Sequence, residues 1–244
     1  MTRRGSPLPF SKLFGGRAPN LRERVRRALE ESREGNAQAA IATISERFGE
    51  ALDELRATPG PVDAPWRRLA AHLQFRCGLM IEAAETAEQA LAAEEDPETW
   101  HLLGRLRIWL QREDADAAFR RAAAMDPDRF FLPQRVSRDR FASLAESAFA
   151  AIPTAFLTQL DNTLVVVDDL PDLEAVREGE DPDVLGVYDG ATAMDRGLPE
   201  RIVLYQCNHE NISSDESELA QQVTETMRHE IGHHFGMEED ELPY

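Results

Sequence analysis

Residues 227–240 read Met227-Arg228-His229-Glu230-Ile231-Gly232-His233-His234-Phe235-Gly236-Met237-Glu238-Glu239-Asp240. His229, Glu230 and His233 form an H-E-x-x-H pattern. On a helix, positions i and i+4 lie one turn apart on one face, so His229 and His233 can hold one cation between them. Imidazole nitrogen suits Zn²⁺, at about 2.0–2.1 Å. Glu230 leans toward the same face and can reach a water beside the cation without being a ligand. Gly236 can adopt a left-handed conformation, end the helix and turn the chain back. That turn brings Glu239 or Asp240 up as a third ligand. The alternative is a helix end rich in histidine that complements the dipole.

Upstream, Leu219, Val223, Met227 and Ile231 recur at spacing four and predict the buried face of this helix. The two candidate ligands fall on the flank of that stripe, so they should face a cleft. Ser213 and Glu216 are spaced as a capping box and mark its start. His234 lies one step round the helix from His233 and reads as a packed or supporting histidine. His209 follows a predicted strand in a loop, where it either contacts a reacting oxygen or has no role. Tyr188 and Tyr205 read as strand packing residues.

Thr163 to Asp168 reads as a buried strand, Leu185 to Tyr188 as a second and Arg201 to Gln206 as a third. Along the third, Ile202 and Leu204 face one side, and Arg201, Val203 and Tyr205 the other. Asp168 to Asp183 holds eight acids and one arginine. It lacks the regular spacing of a calcium loop and reads as a solvated loop. A helix is predicted from Ser137 as N-cap through Phe141, Leu144, Ala145, Ala148 and Phe149, stopped by Pro153.

Three blocks together carry a resemblance: Leu185-Gly186-Val187-Tyr188-Asp189-Gly190, Leu198-Pro199-Glu200-Arg201-Ile202-Val203-Leu204-Tyr205, and His229 to Glu239. From about Arg138 to Tyr244 the chain resembles the small zincin-like metallopeptidases, whose short domain ends in H-E-x-x-H-x-x-G-x-x-D/E. The resemblance implies that His229, His233 and Glu239 are zinc ligands and that Glu230 is the catalytic acid/base. Asp240 competes with Glu239 for the third place. Metzincins have a histidine where Glu239 stands, and add a methionine turn that is not expected in the few residues that follow. The resemblance also implies that the strand Arg201 to Gln206 is the sheet edge that pairs with an extended substrate.

The N-terminal half reads helical throughout, rich in Ala, Leu, Glu and Arg. Leu21, Val25, Ala28 and Leu29 make one stripe. Ala40, Ile41, Ile44 and Phe48 make the next, which Leu52 and Leu55 extend to the break at Thr58-Pro59-Gly60-Pro61. Helices follow from about Pro65 to Gly78 and from about Ile81 to Ala93, with two more before Asp126-Pro127. Trp100, Leu103, Gly104, Ala115, Phe119, Ala122 and Pro127, with a looser copy from Trp66, Leu69 and Ala70 through Ala83, Ala87 and Ala90, resemble a tetratricopeptide-type array of two repeats behind a leading helical pair. Such an array is either a peptide-binding groove or a prop for the second domain.

The expected architecture is therefore α+β. A tail covers residues 1–20, an all-α tetratricopeptide-like array 21–130, and a small zincin-like α+β domain 135–244. A formal charge of −18 argues against nucleic acid or an anionic membrane as partner. Cys77 and Cys207 offer neither a disulfide framework nor a cysteine zinc site, which fits a cytoplasmic protein. Arg3 and Arg4 precede Gly, Ser and two prolines rather than an apolar run, so no signal peptide is expected, and no stretch approaches the ~20 apolar residues of a span. The expected function is zinc-dependent hydrolysis of peptide bonds in a peptide or protein substrate. The alternative is an interaction module whose array binds a protein partner and whose zinc is structural or serves a very narrow specificity.

Overall fold

The computed structural model describes residues 20–44, 47–157, 160, 163–190 and 200–235; the expectations for the N-terminal tail and for Gly236 to Asp240 lie outside these. The first half is helical: α1 (Leu21–Arg33), α2 (Ala37–Ile44), α3 (Phe48–Ala57), α4 (Ala64–Arg76), α5 (Met80–Ala93), α6 (Pro97–Trp109) and α7 (Ala115–Met125). Three helices, not a pair, lead the array, because Phe48 opens a helix of its own. Local chemistry fixes the starts of α4 and α6. Asp63 and Asp96 cap them by accepting from the backbone N–H groups of Trp66 and Thr99, and each cap is followed by a proline in the first turn.

Consecutive helices pack on one another, α4 on α5, α5 on α6 and α6 on α7. Small residues make this possible. A Cβ added at Gly104 would lie 2.8 Å from the Phe119 ring, so this ring of α7 rests directly on the α6 backbone. Ala83, Ala84 and Ala87 of α5 are fully buried against Phe75, Leu102 and Leu106.

The second half comprises α8 (Arg138–Ala150), the short α9 (Thr154–Leu157), β1 (Thr163–Asp168), α10 (Leu173–Glu178), β2 (Gly186–Asp189), β3 (Glu200–Tyr205), α11 (Gln206–Asn211) and α12 (Glu216–His234). The α+β class expected from sequence holds for the whole chain. Among the described residues three strands form one sheet in the order β1-β3-β2, with β1 parallel and β2 antiparallel to β3. Val165, Ile202 and Tyr188 are in register, as are Val167, Leu204 and Gly186. These side chains share one face, on which α8 and α12 pack through Phe141, Leu144, Leu219, Val223, Met227 and Ile231. The spacing-four stripe is thus the buried seam of α12, each of its members at most 5% exposed.

Four expectations are corrected here. First, β3 is the central strand. Its backbone is committed to β1 on one side and β2 on the other, so it is not the free edge assigned to Arg201 to Gln206. Second, the acidic stretch is no solvated loop, because α10 buries Val176 in the apolar cluster of the helical array. Third, the cap of α12 is Asp215, which accepts from Glu218 N–H at 2.9 Å; the Ser213 hydroxyl instead donates to the His209 carbonyl at 2.8 Å. Fourth, His209 lies on a buried helix, α11, rather than in a loop. Among the described residues no helix is long and apolar enough to cross a membrane.

Candidate metal centre

α12 delivers the H-E-x-x-H residues. One turn separates His229 from His233, and their Nε2 atoms stand 3.1 Å apart with ring planes at 82°. Either one Nε2–H donates to the other nitrogen, or both lone pairs bind one ion. Two ligands at ~2.05 Å on a tetrahedral ion are about 3.3 Å apart, so the observed separation is close to that of a zinc pair. Both rings are half-buried, and Glu230 between them in sequence is 6% exposed. Two imidazole nitrogens form a donor set that fits zinc. Glu239 and Asp240, the candidates for third ligand, lie outside the described residues, as does the His234 side chain. Among the described residues no cluster of three His, Cys, Asp or Glu side chains forms.

His229 and Glu230 open onto a cleft of about 320 Å³. Its opposite wall is Val184, Leu185 and Gly186, the residues entering β2; Gln222, Glu225 and Thr226 of α12 complete it. β2 and α12 approach unusually closely. A Cβ at Gly186 would lie 2.9 Å from Thr226 Cγ2 and 2.9 Å from the Val203 carbonyl oxygen, so only glycine fits between strand and helix. Among the described residues β2 is the sheet edge on the cleft side.

Behind the cleft, His209 is fully buried. Its Nδ1–H donates to the Tyr205 carbonyl at 3.0 Å, which leaves Nε2 to accept from the Thr226 hydroxyl at 3.1 Å. Burial pushes its pKa down to about 4, partly offset by the bond to Tyr205, so the ring is neutral. With both nitrogens engaged, His209 is a brace between α11 and α12. Tyr205 and Tyr188 are packed as expected, and burial raises both phenols to about 12.

The rest of α11 is a buried polar knot. Glu210 accepts from Gln206 Nε2 at 2.8 Å, Val136 N–H at 3.1 Å and Arg135 Nη1 at 3.1 Å; Arg135 also reaches Asp116 on α7 at 3.2 Å. A buried carboxylate with this many donors is stable where an unpaired one would not be. Neither this knot nor the Thr226 bond was predicted from the sequence, although the run of polar residues after an apolar strand was its one visible trace.

The second half thus lays a mixed sheet on a helix that carries two converging imidazoles and a buried glutamate. The family model of zincin-like metallopeptidases matches residues 160–244, from the residues just before β1 through the His-Glu helix. No curated protein matches the chain.

Proposed function

We propose that this protein is a zinc-dependent peptidase, with His229, His233 and Glu239 holding the metal and Glu230 acting as acid/base. The observation that carries the reading is the 3.1 Å convergence of the two Nε2 atoms beside a buried Glu230 at one open cleft. The family match over residues 160–244 supports the same chemistry. Bound zinc supplies Lewis-acid polarisation of a carbonyl and lowers the pKa of water toward about 7.

The chain's own residues supply the remainder. An extended peptide adds to the outer edge of β2 through backbone hydrogen bonds, which presents its scissile carbonyl toward α12. The Glu230 carboxylate takes a proton from the attacking water and returns it to the leaving amine nitrogen. Val184, Leu185 and Gly186 close one side of the cleft and limit water access.

The test combines metal analysis with cleavage of a peptide library. Glu230→Gln retains zinc and loses turnover by roughly 10²–10⁴-fold. His233→Ala loses both. A Glu230→Gln protein that cleaves as fast as the wild type overturns the assignment of the base.

A second role, binding of a protein partner on the array, is favoured by a cavity of about 620 Å³ lined by Phe48, Phe75, Phe130, His72 and Arg105 and closed by Asn208 of α11. Its size suits a specific ligand, and the tetratricopeptide-like pattern of Trp66 and Trp100 suits a peptide. Partner capture that survives His229→Ala but is lost in array variants separates this role from peptide hydrolysis.

A further inference from the structure

The connection from β1 to β2 is an arm seated in the helical array. Val176 of α10 is 1% exposed within the cluster that contains Phe75, Leu102 and Leu103, and Leu173 packs at its margin. Gly78, at φ 69°, makes room for this arm: a Cβ there would lie 2.8 Å from Arg177 Cγ and 3.5 Å from Val176 Cγ1. Beyond α10, Gly179 at φ 119° turns the chain.

Two arginines of the array then grip the arm. Arg76 of α4 pairs with Asp181, and Arg105 of α6 donates to Asp183 Oδ2 at 2.6 Å. Each guanidinium is also stacked, Arg76 at 4.7 Å over the Phe48 ring and Arg105 at 4.9 Å over the Phe75 ring. The carboxylates are exposed (Asp181 44%, Asp183 38%), but stacking and burial of the arginines (Arg105 17% exposed, Arg76 23%) separate these pairs from ordinary surface salt bridges, which hold little. From the other side, Asn208 Nδ2 donates to the carbonyls of Pro182 at 3.0 Å and Val184 at 2.7 Å. Tyr205 N–H closes the run on the Leu185 carbonyl at 2.8 Å. The next residues are the cleft wall itself, Val184 to Gly186, opposite His229 and Glu230.

We propose that the helical array is part of the substrate-binding apparatus. Arg76 and Arg105 are positioning residues that hold Asp181 and Asp183, and through them set the cleft wall and the β2 edge. The proposal rests on the peptidase reading for its effect on catalysis, but its mechanical content does not. The array is thereby more than a prop or a separate recruitment module, because the segment it clamps runs without interruption into the substrate strand.

The experiment compares full-length wild type, Arg105→Ala, Asp183→Asn and the exchanged pair Arg105→Asp with Asp183→Arg. Hydrogen–deuterium exchange of amides 184–189, zinc content, and kcat and KM on a peptide are measured. Each single variant is expected to speed exchange of these amides by about tenfold, with zinc content unchanged. KM should rise several-fold with kcat held within about twofold, because the wall positions substrate and does not touch the reacting atoms. The exchanged pair should recover most of the protection. Wild-type exchange at 184–189 in both single variants, or loss confined to the array with no recovery in the exchanged pair, overturns the proposal. If Arg105→Ala does not fold, Arg105→Lys, which keeps the charge but loses the planar stack, is compared with Asp183→Asn on the same readouts. If the wild type hydrolyses no peptide, exchange and the charge swap still decide the proposal, so failure of the peptidase reading is seen separately.

Discussion

The Thr226 hydroxyl donates to His209 Nε2 at 3.1 Å, and this bond ties the helix that carries His229 and His233 to the short helix behind it. Thr226 lies one turn before Glu230 and also meets Gly186 across the cleft. One side chain therefore fixes α12 against both α11 and β2. Thr226→Val keeps the shape but leaves a buried lone pair on His209 unsatisfied, which should lower unfolding free energy by about 1–3 kcal/mol. Thr226→Ser keeps the donor and should lose clearly less. Urea unfolding of the two variants measures the difference, and equal losses would show that packing rather than the hydrogen bond matters here.

The close approach at Gly186 predicts a steric failure. In Gly186→Ala the new methyl group meets the Val203 carbonyl oxygen at 2.9 Å, and backbone cannot move aside as a flexible side chain does. β2 must shift against β3, and the Thr226 methyl group of α12 must give way as well, at a cost of about 1–3 kcal/mol. Thermal unfolding should show a lower midpoint, and on the peptidase reading KM should rise as the wall opens. A variant of wild-type stability would mean that the strand is not held against the helix as tightly as described.

Acid should destabilise the fold well above the carboxylate range. Burial pushes His72 and His101 from the ordinary 6.5 to about 3, and His209 to about 4. The Arg105 guanidinium adds to the effect at His72 and His101. These folded-state values are depressed, so between about pH 6.5 and 4 the unfolded chain binds protons that the folded one refuses. Stability is then complete above the ordinary value and is lost as pH falls. Each of these three histidines contributes a slope of roughly 1 kcal/mol per pH unit near pH 5. His101, which packs edge-on against Phe119 at 5.2 Å, can be replaced by phenylalanine, and His101→Phe should reduce proton uptake on unfolding at pH 5 by about one. Urea titrations from pH 7 to 5 read both effects; a flat profile contradicts the buried, neutral assignment.

Much of this molecule was legible from local rules. The stripe from Leu219 to Ile231 fixed which face of α12 is buried, since a period of four on a helix admits one solution. It also left His229 and His233 on the flank one turn apart, and their side-chain rotamers bring the Nε2 atoms to 3.1 Å. The helix from Ser137 was equally plain, because the cap, the apolar spacing and Pro153 are all local signals. The alternation Ile202, Leu204 against Val203, Tyr205 gave the faces of β3 for the same reason.

Partners distant in sequence were decided only by the tertiary structure. The resemblance made β3 an edge, and alternation, which cannot tell a central strand from an edge, offered no correction, although β1 and β2 both pair with it. The acids of residues 168–183 looked solvated because each is polar; their meaning lay in Arg76 of α4 and Arg105 of α6, far back in the chain, and in the apolar place that Val176 finds there. His209 gave no sign of being a brace, since Tyr205 is local but Thr226 is reached only after the chain turns into α12. Periodicity and caps act over a few residues and are written in the sequence directly. Burial, edge status and charge pairing depend on which surfaces meet, and that is set by the packing of the whole chain.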